Sequence, residues 1–170
     1  IMKLVMTKIH RFWKINCLPM LLLILVSLGF SASVYSEPRL NFSDLVNGPA
    51  TGLNDGLGSG VVVTIWGQSL GSNQSGSKIK FTDVDGTTHN VAHTYYWKNA
   101  DGRKPGGASN LYESHKMQEI AFSIPNVPVG LGTIHAVVNG QASNTLPFLV
   151  RNGSVFHVKK SGSNSNSGSF

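Results

Sequence analysis

Residues 58–71 read Gly58-Ser59-Gly60-Val61-Val62-Val63-Thr64-Ile65-Trp66-Gly67-Gln68-Ser69-Leu70-Gly71. A run of β-branched and aromatic side chains lies between glycine-bearing turns. These side chains suit a pleated, mostly buried strand far better than a helix. The run over residues 61–66 has a normal strand length. It predicts the central strand of an all-β sandwich, with later segments packing around it.

Working outward, Ser77-Lys78-Ile79-Lys80-Phe81-Thr82 alternates cleanly. Ile79 and Phe81 point inward in this reading, Lys78 and Lys80 outward. Asp85-Gly86 is a favoured hairpin dipeptide, and the next strand is read as running from Thr87 or Thr88 to Trp97. Residues 98–109 hold Asp101-Gly102 and Pro105-Gly106-Gly107 and read as a long exposed loop. Residues 117–124 place Ile120, Phe122 and Ile124 on one face of a strand. Asn139-Gly140 marks a hairpin between residues 133–138 and 146–150. Upstream, Leu40 and Phe42 alternate onto one face of a short edge strand that opens at Pro38. About seven strands result, with turns spaced as a sandwich requires.

Charge narrows the function classes. The 170-residue chain has a formal charge of +6. Lys3, Lys8, Arg11 and Lys14 precede any acid. From Glu37 onward ten Lys and Arg face eight Asp and Glu, a net of +2. A near-neutral domain lacks the basic stripe of a nucleic-acid binder. Residues 1–36 read as a secretory signal peptide, with a basic start, an apolar run over residues 18–30, and small residues at Ser31-Ala32-Ser33 and Val34-Tyr35-Ser36. That run has 13 residues, short of the roughly 20 that span a bilayer. The alternative is an uncleaved anchor, so any membrane contact is through this segment. Secretion, to the extracellular space, periplasm or cell surface, is the expected location. The single cysteine, Cys17, lies in this segment, so residues 37–152 have no disulfide.

The ordered set Gly60 to Leu70, Ile79-Lys80-Phe81, Ile124-Pro125, Gly130 to Val138 and Ser143 to Phe148 resembles the IPT/TIG group of immunoglobulin-like domains. Those domains open on a Gly-x-x-Val-Thr-Ile-x-Gly type strand and close on a Val-x-Val…Ser…Phe hairpin. The resemblance covers about residues 39–151, with Leu70 where Phe is commoner. It implies an immunoglobulin-like sandwich over residues 37–152.

Residues 153–170 carry Ser161-Gly162-Ser163-Asn164-Ser165-Asn166-Ser167-Gly168-Ser169. They resemble the opening segment of a right-handed parallel β-helix, a fold frequent in secreted polysaccharide lyases and surface proteins. A single coil cannot bury its own face, which suggests truncation from a longer protein. A flexible Ser/Gly/Asn linker is the competing reading.

No catalytic set emerges. Ser114-His115 has no activating carboxylate placed by a motif, and Glu113 and Glu119 define no acid–base pair. His89 and His93 on a strand would lie about 13 Å apart, too far for one metal ion. Asp83-x-Asp85-Gly86 lacks the later acid of a calcium loop and reads as a turn. No metal and no cofactor are expected. In a strand Tyr95 and Trp97 share one face and Tyr96 takes the other, one face packing the core and the other free to present an aromatic surface. The ligand-binding candidates are Tyr95, Trp97 and Tyr112, since aromatic rings with polar edges can stack on sugars. The competing role for all three is packing.

The resulting expectation is a non-catalytic accessory module that spaces or orients a downstream β-helix domain acting on polysaccharide. Two alternatives stand beside it. One is a carbohydrate-binding module using exposed aromatics. The other is the N-terminal part of a polysaccharide lyase or glycoside hydrolase.

Overall fold

Val63 and Ile65 are completely buried in strand β3 (Val62–Gln68), where the sequence places the central strand. The computed structural model describes residues 36–101, 111–157 and 165. The segment read as a signal peptide, most of the stretch 98–109 read as a loop, and nearly all of the Ser/Gly/Asn tail lie outside the described residues. Among the described residues the protein is almost wholly β.

Two sheets enclose one core. The first has the order β1 (Arg39–Ser43), β3, β7 (Met117–Ser123), β6 (Thr94–Asn99). The second has the order β2 (Asn47–Pro49), β10 (Leu146–Arg151), β8 (Gly130–Val138), β4 (Lys78–Thr82), β5 (Thr88–Asn90). A short β9 (Gln141–Ala142) also pairs with β8, and one short helix, α1 (Leu111–His115), precedes β7. The β2–β10 pair is parallel, and every other pair is antiparallel. No described helix is long and apolar enough to cross a membrane.

Alternation explains which side chains fill the space between the sheets. The first sheet contributes Val63, Ile65, Ile120 and Phe122, the second Ile79, Phe81, Ile134 and Phe148. Phe81 and Phe148 meet edge to face at 6.2 Å. Each such side chain contributes about 1.5–3 kcal/mol by leaving water. The inward positions of Ile79, Phe81, Ile120, Phe122 and Ile124 match the period-two reading. Asn139 and Gly140 both take positive φ, 50° and 81°, as a tight hairpin between β8 and β9 demands.

Three local readings change. The stretch read as one strand from Thr87 or Thr88 to Trp97 is two strands, β5 and β6, in different sheets. Residues 91–93 carry the chain across. Leu40 and Phe42 do not share a face, because a bulge at Asn41 shifts the register between Leu40↔Gly67 and Phe42↔Trp66. Leu40 is buried and Phe42 is 42% exposed. A second bulge makes Tyr95 the extra residue between Thr94↔Phe122 and Tyr96↔Ala121. Both bulges lie on edge strands, where one inserted residue re-aims its neighbours at least cost.

The β4–β5 turn is locked by Asp83. Its Oδ1 accepts from the backbone N–H of Asp85 and of Thr87, and its Oδ2 meets His89 Nε2 at 2.8 Å. The histidine contact is the main cause that holds the Asp83 carboxyl below the usual carboxylate range, and the backbone donors add to it. A depressed folded-state pKa contributes stability above the unfolded value, and that stability is lost as pH falls through the folded value. Asp83→Asn is therefore expected to lower Tm at neutral pH, with the gap to wild type closing in acid. Thermal unfolding across pH checks this, and a gap that is constant with pH would sink it.

Candidate functional site

Four side chains stand in one row across all four strands of the first sheet, on its outer face. Phe42 pairs with Trp66, Trp66 with Glu119, and Glu119 with Lys98. Alternation puts them there: their neighbours Ile65, Ile120 and Trp97 turn into the core. The next row is Thr64, Ala121 and Tyr96.

The rings are ordered by specific contacts. Phe42 and Trp66 stack, with centroids 5.1 Å apart and planes at 18°. Trp66 Nε1 donates to Glu119 Oε2 at 3.1 Å. Lys98 Nζ lies 3.1 Å from Glu119 Oε1 and 2.9 Å from Asp101 Oδ2. The same ammonium sits 5.1 Å from the Tyr96 ring centroid, a favourable cation–π position. The Tyr96 hydroxyl reaches within 3.5 Å of Thr64 Oγ1, two strands away. Its ring thus crosses above Ala121, whose small side chain makes room, and remains 38% exposed.

Glu119 is the buried charge of this face, its side chain only 8% exposed. An ionised carboxylate survives such burial only when paired and hydrogen-bonded, and Lys98 and Trp66 supply both. Asp101 and Glu119, in that order, raise the pKa of Lys98, and Lys98 in turn lowers that of Asp101. The result is a shallow platform of three aromatic rings around a fixed ion pair. Such a surface can stack on apolar ring faces and exchange hydrogen bonds with hydroxyl groups.

The three residues singled out in the sequence go to three different places. Trp97 is 7% exposed and belongs to the core, with Nε1 3.1 Å from both Leu70 O and Gly71 O. Tyr95 is half-buried. As the bulged residue it turns away from the Trp97 side, and its hydroxyl donates to Asp55 Oδ2. Burial, then the Asp55 contact, pushes the Tyr95 phenol up to about 12. The Gly58 N–H, then Tyr95, then the Leu57 N–H hold Asp55 down to about 2. This pair pins the residue 52–60 loop. Tyr112 is half-buried on α1, with Lys116 Nζ 5.2 Å from its ring centroid.

Phe42, Trp66, Lys98 and Glu119 are not binding candidates from sequence, and Tyr96 enters there only as the ring on the face opposite Tyr95 and Trp97. The alternation of residues 63–66 already puts Trp66 opposite the buried set. The pairing of Trp66 with Phe42 depends on the Asn41 bulge, which has no local sequence mark. Among the described residues no three His, Cys, Asp or Glu side chains gather as a metal site. A comparison with protein-family models gives no match, and a comparison with curated proteins gives none either.

Proposed function

We propose that the chain is a non-catalytic accessory module of a secreted or surface protein, and that it holds polysaccharide on the outer face of its four-stranded sheet. The observation that carries this is the ordered row Phe42–Trp66–Glu119–Lys98 beside Tyr96. Aromatic anchors next to fixed polar groups are the usual composition of a recognition site.

The domain type is part of the proposal. Immunoglobulin-like sandwiches set strands A, B, E and D on one sheet and C, F and G on the other. The order β1-β3-β7-β6 against β2-β10-β8-β4-β5 supports that assignment, as does the parallel β2–β10 pair. The IPT/TIG resemblance agrees with it.

A spacer role has its own support. The chain after β10 folds back along the residue 49–53 segment. His157 Nε2 lies 2.8 Å from Leu53 O. A Cβ on Gly52 would come within 3.1 Å of Ser154 Cα, so the absence of a side chain there lets the two segments touch. A clipped exit of this kind would orient whatever follows, such as a β-helix domain.

The test is retardation of the full chain in gels containing dissolved polysaccharides. Trp66→Ala, at a half-buried outer position, should stay folded by near-ultraviolet circular dichroism. Its affinity should fall by at least about tenfold, the loss typical of an anchor residue. Unchanged binding in that variant, or no retardation of the wild type by any polysaccharide, would remove the reading.

A further inference from the structure

The chemistry beside the rings goes further than a generic sugar site. Glu119 lies between Trp66 and Tyr96, its two oxygens engaged by Trp66 and Lys98. The open carboxylate is Asp101, and with about four acceptor positions on an ionised carboxylate it keeps capacity for hydroxyl donors. Lys98 is the cation nearest the rings among the described residues, and it already serves two carboxylates, Glu119 and Asp101. Asp44 adds a further negative charge at the rim, where its Oδ1 accepts from the Thr64 N–H. Arg39 stands one row beyond, paired with Gln68.

A ligand carboxylate arriving over Trp66 and Tyr96 would meet an ammonium already held between two carboxylates, of which Asp101 is the exposed one and Glu119 lies beneath. Like charges brought together at a partly desolvated surface suppress a wrong partner, and specificity is built from such repulsion as well as from attraction. A neutral sugar meets no such penalty. Its ring hydrogens stack on Trp66 and Tyr96, and its hydroxyls can donate to the exposed carboxylate of Asp101.

We infer that this face selects neutral polysaccharides, recognised through ring stacking and hydroxyl donation, and rejects polyuronates. The inference rests on the carbohydrate reading of the same site. It makes Asp101 and Glu119, which together occupy Lys98, specificity-determining residues in addition to the aromatic anchors.

The experiment compares retardation of the full chain in hydroxyethyl cellulose and mixed-linkage glucan with that in polygalacturonate and alginate, at low and at physiological salt. Wild type is expected to bind at least one neutral polymer at both salt levels and neither polyuronate at physiological salt. Asp101→Asn, at an exposed position, frees part of the Lys98 charge without disturbing the core. Glu119→Gln removes the buried negative charge that occupies Lys98 from below. Each variant should gain polyuronate binding, by about tenfold for Glu119→Gln. Polyuronate binding by wild type at physiological salt, lost in Trp66→Ala, would overturn the inference and leave the sheet-face site standing. Neutral binding with no gain in either variant would also overturn it. No binding to any polymer would overturn the carbohydrate reading itself, and this inference with it.

Discussion

Trp97→Ala is expected to lower the unfolding free energy by about 3–5 kcal/mol, the range for truncating a large buried aromatic. The indole is 7% exposed and packs in the core between the sheets. Its removal leaves a cavity and strips the carbonyls of Leu70 and Gly71 of a shared donor. Trp97→Phe keeps most of the apolar volume and separates the two losses. It should cost about 1 kcal/mol for the donor, plus the smaller packing deficit. Urea titration of wild type and both variants measures this. Trp66→Ala is the contrasting case, where binding falls and stability changes far less. A Trp97→Ala protein as stable as wild type would put the indole outside the core.

Gly67→Val is expected to cost about 3 kcal/mol, the upper end of overpacking. Gly67 pairs with Leu40 on one side and Gln118 on the other. A Cβ there would come to 2.2 Å from Arg39 O and 2.8 Å from Leu70 Cδ1. The first of these is backbone, so β1 itself must move. The displacement breaks the pairing that brings Phe42 against Trp66, so affinity should fall together with the urea midpoint. Gly67→Ala is the milder step of the same series. Hydrogen exchange in residues 39–43 should speed up in both variants. Protection equal to wild type would mean that β1 does not lie this close to β3.

Much of the architecture is legible as period-two burial. The pairs Val63/Ile65, Ile79/Phe81 and Ile120/Phe122 are inward as their spacing demands, and hairpin dipeptides mark the turns near residues 85 and 139. What escapes is the effect of single extra residues. Asn41 and Tyr95 are bulged, and each bulge is chosen by pairing with a distant strand, so no window of local sequence contains the cause. That is why Phe42 reads as inward yet is exposed, and why Tyr95 reads as a partner of Trp97 yet turns to Asp55. The cross-sheet passage at residues 91–93 is hidden for a related reason. Val91, Thr94, Tyr95 and Trp97 keep strand-like composition through a corner that only the second sheet explains.

The row Phe42, Trp66, Lys98 and Glu119 draws one residue from each of four strands spread over most of the domain. No proteolytic fragment and no synthetic peptide can therefore reproduce it. It is a discontinuous epitope: an antibody or a sugar that recognises all four side chains reports native assembly of the whole sheet. Retention on a polysaccharide column would then separate folded from misfolded chains during purification, with no tag required.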